Sequence, residues 1–396
     1  MNTVAAPAGA RRNVVVLVFC QGLAMTGSSL VVTVSALAGR LLADDPSLAT
    51  LPIALQFMAT LCTTIPASLL MGRVGRRTGF IIGQSIGVVG GLLAAKALFA
   101  GDFWLFAAAS ALVGCHNAFW QYYRFAAADT AGADNRGRAI SYVLAGGIIA
   151  AVAGPQLAKW TVDMFEPVLF AGGYLVLAGI SVVTILVLMG LRIPVPPRAV
   201  VRGGRTLLEI ARQPVFIVAV MSSMAGYGVM NLMMTATPLA MIFCGFAFDD
   251  SATVIQFHVL AMFAPSFFTG HLIARVGVLK VIAAGAVCIS AAVAVNVSGI
   301  AFANFALGLT LLGLGWNFMF VGGSTLLAEA HTVEERSRVQ AMHDFMVFSL
   351  VACSAFSSGW LNEQVGWAAL NLVATVPLVL SLTATVWLIN SRRQAA

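Results

Sequence analysis

The chain has 396 residues, of which 60% are hydrophobic and only 9% charged, a composition that excludes an ordinary soluble domain. Its net charge of +7 would suit nucleic acid, but the basic residues are scattered over termini and connections between apolar runs, so that partner is excluded as well. Six cysteines, Cys20, Cys62, Cys115, Cys244, Cys288 and Cys353, lie mostly in apolar runs without metal-ligand spacing and read as small packing residues.

In chain order, membrane-spanning helices are expected at 13–39, 50–71, 79–100, 103–127, 139–159 and 167–191. A second set is expected at 214–243, 252–273, 278–299, 302–327, 339–361 and 366–390. Each reaches the ~20 residues that cross about 30 Å of hydrocarbon, and a helix keeps its backbone hydrogen bonds internal where water is absent.

The first run follows Arg11 and Arg12 and carries Ala36-Leu37-Ala38, imitating a signal peptide with its cleavage site. It is about twice too long for that, and reads as a first span with Gln21, Met25, Ser28 and Ser29 roughly on one side. The connection after span two reads Gly72-Arg73-Val74-Gly75-Arg76-Arg77. Span three carries Gly83, Gly87 and Gly91 at four-residue spacing, which permits close helix approach.

Span four is the most polar. At about 100° per residue, His116, Asn117, Trp120, Gln121, Tyr123 and Arg124 fall within an arc of about 160°, wide enough for a cavity-lining face. Asp129, Arg136 and Arg138 follow in the next connection. Gly154-Pro155 kinks span five.

A segment rich in proline and arginine, 192–213, separates two parts, 1–191 and 214–396. In the second part, span seven offers Tyr227, Asn231 and Met234, span eight Gln256 and His258, span ten Trp316 and Asn317. Glu329, Arg336 and Arg338 follow span ten, and Asp344 lies inside span eleven. His116 and His258 lack partners at metal-ligand spacing, so no metal site is expected. Spans one to ten contain no carboxylate well inside, which disfavours a cationic drug; Arg124, amides, Tyr and Trp suit a neutral or anionic, partly aromatic solute.

All basic residues except Arg40, Lys96, Arg124 and Lys159 fall at the termini or in alternate connections, which puts both termini and the 192–213 linker in the cytoplasm. The sequence also carries an internal duplication. Asp129, Arg136 and Arg138 recur as Glu329, Arg336 and Arg338, Asn117 recurs as Asn317, Trp160 as Trp360, and Arg73-Val74-Gly75 as Arg275-Val276-Gly277. The expected architecture is an all-α membrane protein of twelve helices in two six-helix pseudo-repeats.

The Gly72–Arg77 connection, with the duplicated loops, resembles the cytoplasmic signature of the major facilitator superfamily, and the resemblance covers essentially the whole chain. It departs in Gly72, which stands where an acidic residue is usual, and in Ser68, which stands where a glycine is. The resemblance implies a central cavity between the halves, opened alternately to each side. Its substrate-binding candidates are Gln21, His116, Asn117, Trp120, Gln121, Tyr123, Arg124, Tyr227, Asn231, His258, Trp316 and Asn317. The gating candidates are Arg73, Arg76, Arg77, Asp129, Arg136, Arg138, Glu329, Arg336, Arg338 and Asp344. In the family fold, Arg124 and Asp344, each unmatched in its repeat, are expected to pair when the inner gate closes. Gly146, Gly147 and Gly154-Pro155 resemble a degraded form of the family's drug-antiporter signature. Ala49-Thr50-Leu51-Pro52 and the run Gln121 to Asp129 are similar to a bacterial subgroup that includes riboflavin transporters.

The expectation is therefore a secondary or facilitative transporter in a bacterial inner membrane. It is a monomer in the lipid bilayer, needs no cofactor, and has a small solute as partner, with protons as a second candidate. The rivals are a proton-coupled efflux antiporter, a riboflavin-like vitamin importer and a non-transporting receptor or scaffold. No GxSxG, HExxH, P-loop or GxGxxG pattern supports an enzyme.

Overall fold

The computed structural model describes residues 9–130, 136–193, 204–332 and 334–395. The chain divides into two compact units, Met1–Arg198 and Ala199–Ala396, and no strand occurs among the described residues.

In the first unit, α1 (Ala10–Leu42), α2 (Leu51–Val74), α3 (Arg76–Ala100), α4 (Phe103–Trp120), α5 (Tyr123–Thr130), α6 (Arg136–Thr161) and α7 (Ala171–Leu188) follow one another. In the second, α8 (Leu207–Ala211) is a single short turn ahead of α9 (Pro214–Phe243), α10 (Phe248–Phe263), α11 (Ser266–Val276), α12 (Val278–Ser298), α13 (Phe302–Leu327), α14 (Arg336–Val373) and α15 (Thr375–Ala395).

Every expected span falls on helix, with three differences. The fourth is interrupted by a turn at Gln121–Tyr122. The eighth is broken between α10 and α11, which meet at a bend of 43°; Pro265 stands there, where its missing N–H and its ring oppose a continuous helix. The eleventh and twelfth run together through α14 across Gly366, whose φ of 78° lies outside the helical range. By length and apolarity, nine helices among the described residues could cross a membrane, or ten if α10 and α11 count as one span.

The same helix pairings recur in each unit. α1 packs on α6 and α7, α2 on α4, and α3 on α4 and α7; correspondingly α9 packs on α14 and α15, α10 on α13, and α12 on α13 and α15. Local details repeat too. Gly75, at φ 86°, turns the chain from α2 into α3, and Gly277, at φ 93°, turns it from α11 into α12; a side chain would be strained at either position. A Cβ on Gly114 would strike the Gln56 carbonyl, and one on Gly313 would strike the His258 carbonyl. The α2–α4 and α10–α13 contacts are thus both backbone-close, as small residues in membrane helices allow.

Candidate functional site

In the first unit the polar face expected on span four is divided. A short turn at Gln121–Tyr122 separates α4 from α5, and His116 and Tyr123, seven residues apart, occupy one edge of the face. His116 and Tyr123 point toward α3: the His116 ring nitrogen Nδ1 lies 3.1 Å from the Gly83 carbonyl oxygen, and the Tyr123 hydroxyl accepts a 2.8 Å bond from Gln84. Tyr123 is also packed edge-on against Phe80, with ring centroids 4.6 Å apart. Asn117 and Trp120 bond each other, indole Nε1 donating to the amide oxygen at 2.9 Å. Gln121 and Arg124 remain half-buried, and the Arg124 guanidinium sits over the Phe125 ring, 4.8 Å from its centroid. On α1, Gln21 is buried and its side-chain oxygen has no hydrogen-bond partner among the described residues.

The second unit gathers aromatics from four helices. Trp316 and Phe320 on α13 stack, with centroids 5.2 Å apart and planes 12° from parallel. Tyr227 of α9 meets Trp316, Phe320 and Phe348 of α14 edge-on at 5.4, 5.3 and 5.6 Å, and Phe263 of α10 closes on Trp316 at 6.1 Å. The Trp316 indole N–H is buried and has no acceptor among the described residues. One turn along α9 from Tyr227, Asn231 donates to the Val351 carbonyl and the Ser354 hydroxyl, both at 3.1 Å, while its own oxygen stays unpartnered. These edge-on and offset ring contacts are the favoured aromatic geometries.

His258 and Asn317 do other work. His258 places Nδ1 2.8 Å from the Leu309 carbonyl, joining α10 to α13. Asn317 pins the α10–α11 break: its amide donates to the Met262 carbonyl and the Ser266 hydroxyl, each at 2.7 Å, and its oxygen accepts from Thr269 at 2.6 Å.

Of the gating candidates, Arg73 and Arg77 are exposed. The Arg76 guanidinium lies 5.9 Å from the Tyr122 ring centroid, and the Tyr122 hydroxyl donates to the Thr64 carbonyl at 3.0 Å. The side chains of Asp129, Arg136 and Arg138 lie outside the described residues. Glu329 pairs with Arg392 at 2.7 Å, and Arg336 and Arg338 are exposed. Asp344 accepts from its neighbour His343, Nδ1 to Oδ1 at 2.9 Å.

Sequence reasoning missed Gln84, Phe263, Phe320, Phe348, His343 and the pair Arg205–Glu335. The aromatics and the glutamine read as ordinary apolar-span residues until a fold brings them together. Glu335 did carry a signal, an acidic residue beside the arginines of a duplicated loop. Hydrogen bonds from Arg205, then from the Thr332 and Arg205 backbone N–H groups, hold its carboxyl well below the usual carboxylate range. No cluster of His, Cys, Asp and Glu suited to a metal occurs among the described residues.

Three comparisons with known proteins bear on this arrangement. The family model described as Major Facilitator Superfamily matches residues 17–297. The riboflavin transporter RfnT of Brucella anthropi is 39% identical over 383 residues, covering 94% of this chain and 96% of that one. The uncharacterized MFS-type transporter YdeG of Bacillus subtilis is 26% identical over 399 residues, covering 95% and 92%. Among solved structures, an auto-inhibited POT family peptide transporter superposes with a TM-score of 0.69 at 13% identity, covering 96% of this chain and 97% of that one; at that identity the match speaks for the fold alone.

Proposed function

Since the chain belongs to the Major Facilitator Superfamily, a family of membrane transporters of small solutes, we propose that it carries riboflavin, or a solute with the same flat flavin ring, by alternating access. The observation that carries this reading is the 39% identity to a riboflavin transporter over nearly the full length of both chains.

The aromatic cluster supports it. A flavin ring offers a broad π face, to which Tyr227, Phe348 and the Trp316–Phe320 stack are suited, and carbonyl and ring-nitrogen acceptors for the buried indole N–H of Trp316. We extend the proposal to twelve spans in two six-helix halves joined by the 192–213 linker, with both termini cytoplasmic. The division into two units and the recurring helix pairings support the halves, and the alternation of basic connections supports the orientation.

Riboflavin is fluorescent, so binding can be read directly. Titrating flavin with purified protein should give a saturable quench, and Trp316→Ala should weaken it. A flat response with well-folded protein would exclude flavin as the solute and leave the family assignment intact.

A further inference from the structure

We propose that α8 is a membrane-surface anchor: its exposed leucines enter the bilayer interface, and the basic side chains around it bind the phosphate headgroups of anionic lipid. The inference rests on membership of a membrane transporter family and not on the identity of the solute.

The turn is held firmly on the second unit. Arg205, just before it, is bonded through its backbone N–H and its guanidinium to Glu335, and Gln213, just after it, donates to the Ala330 carbonyl at 3.0 Å. Thr206 and Glu209 cap it, and Ile210 is fully buried. Fixed in this way, α8 turns Leu208 outward at 62% exposure and Leu207 at 37%. Neither leucine can rotate inward unless those bonds break.

The depth of α8 follows from its neighbours. Ile210 joins a buried cluster with Leu279, the second residue of α12, and with Leu388, one turn before Arg392 near the end of α15. These are the levels at which apolar spans give way to charge. Trp387, 54% exposed beside Leu388, marks the same level, since indole rings favour the boundary between acyl chains and headgroups. Two adjacent leucines exposed at that depth gain by leaving water for the acyl boundary. They offer far less apolar surface than a stable protein interface, which covers about 800 Å² on each partner.

The charge around α8 has the sign that anionic lipid requires. At this end of the second unit Glu335 and Glu329 are neutralised by Arg205 and Arg392, and Glu209 is used in the cap of α8. Glu334 is exposed. Against it stand Arg212, Lys280, Arg336 and Arg393, all exposed and without an ion-pair partner among the described residues. Surplus positive charge beside outward apolar side chains is the pattern by which an interfacial segment recognises anionic headgroups.

The test uses the full chain in lipid nanodiscs. A spin label at Leu208→Cys, with the native cysteines replaced by alanine, reports its depth through its collisions with oxygen, which concentrates among acyl chains, and with a water-soluble nickel chelate. In nanodiscs containing phosphatidylglycerol, oxygen collisions should dominate. The oxygen-to-nickel ratio should fall severalfold in phosphatidylcholine alone, and by as much in phosphatidylglycerol when Arg212→Gln, Lys280→Gln and Arg393→Gln are combined. A label dominated by nickel collisions stands in water, and one shielded from both reagents is covered by protein, a second copy included. Either result would overturn the proposal, as would a ratio that ignores lipid charge. Failure to bind riboflavin is read separately, by the flavin quench, and bears only on the solute.

Discussion

The Arg205 guanidinium grips the Glu335 carboxylate edge to edge, Nε to Oε1 at 3.0 Å and Nη2 to Oε2 at 2.8 Å. The backbone N–H of Arg205 adds a 2.7 Å bond to Oε1, that of Thr332 a 3.0 Å bond to Oε2, and Nη2 also reaches the Ala330 carbonyl at 3.1 Å. The segment entering α8, capped by Thr206 and Glu209, is thereby tied to the connection between α13 and α14. A forked donor facing a two-oxygen acceptor is a strong form of charge-assisted pairing.

Because this pairing holds the Glu335 carboxyl below its ordinary range, its contribution is fully present above the unfolded carboxyl pKa of about 4.3 and is lost as pH falls through the lower folded value. Glu335→Gln should therefore accelerate amide exchange in 204–213 at neutral pH. The acid sensitivity of that segment should also decline, since the variant has no carboxylate left to protonate. Equal exchange in both proteins would remove the clamp.

Tyr123 is a packing residue by its contacts, whatever its helical-wheel position suggests. Tyr123→Phe leaves the buried Gln84 amide without its acceptor, which costs about 1–3 kcal/mol of stability. Solute affinity should stay within about twofold, a change of under 1 kcal/mol. A large loss of affinity at unchanged melting temperature would return the residue to the binding face.

Asn317 stabilises the break in the eighth span. Asn317→Ala removes three hydrogen bonds of 2.6–2.7 Å and should raise exchange across 262–270 more than anywhere else. The expected stability loss is about 1–3 kcal/mol, dominated by the desolvated Met262 carbonyl. Exchange that rises uniformly would mean that the asparagine holds the unit generally rather than its break.

Trp316 is the residue on which solute binding should depend most. Trp316→Ala removes both the stack and the indole donor, and aromatic stacking on a flat ring is worth about 1–3 kcal/mol, so affinity should fall roughly tenfold to a hundredfold. Trp316→Phe, which keeps a ring but not the N–H, should fall between wild type and alanine. Matching affinities for alanine and wild type would move the solute away from the cluster.

Much of the helical order was legible in the sequence, because apolar run length and backbone hydrogen bonding in lipid leave few alternatives. The duplicated Arg-Val-Gly was legible as well, and its glycines hold the positive φ that the α2–α3 and α11–α12 turns require. The span-four face was only partly legible. A helical wheel puts His116 and Tyr123 at one edge of the arc but does not say what that edge packs against, which here is α3 through Gly83 and Gln84. The aromatic cluster was less legible still, since Tyr227, Phe263, Trp316 and Phe348 come from four helices and only packing unites them. His343 escaped notice because it lies near the start of its helix, and its burial depends on neighbours that a single span does not reveal.

The most direct measurement is uptake of radiolabelled riboflavin by proteoliposomes containing the purified protein. Saturable, time-dependent accumulation above protein-free liposomes, competed by unlabelled riboflavin and sharply reduced in Trp316→Ala, is the predicted result. Uptake equal to that of empty liposomes, from protein that folds and inserts normally, would contradict riboflavin transport.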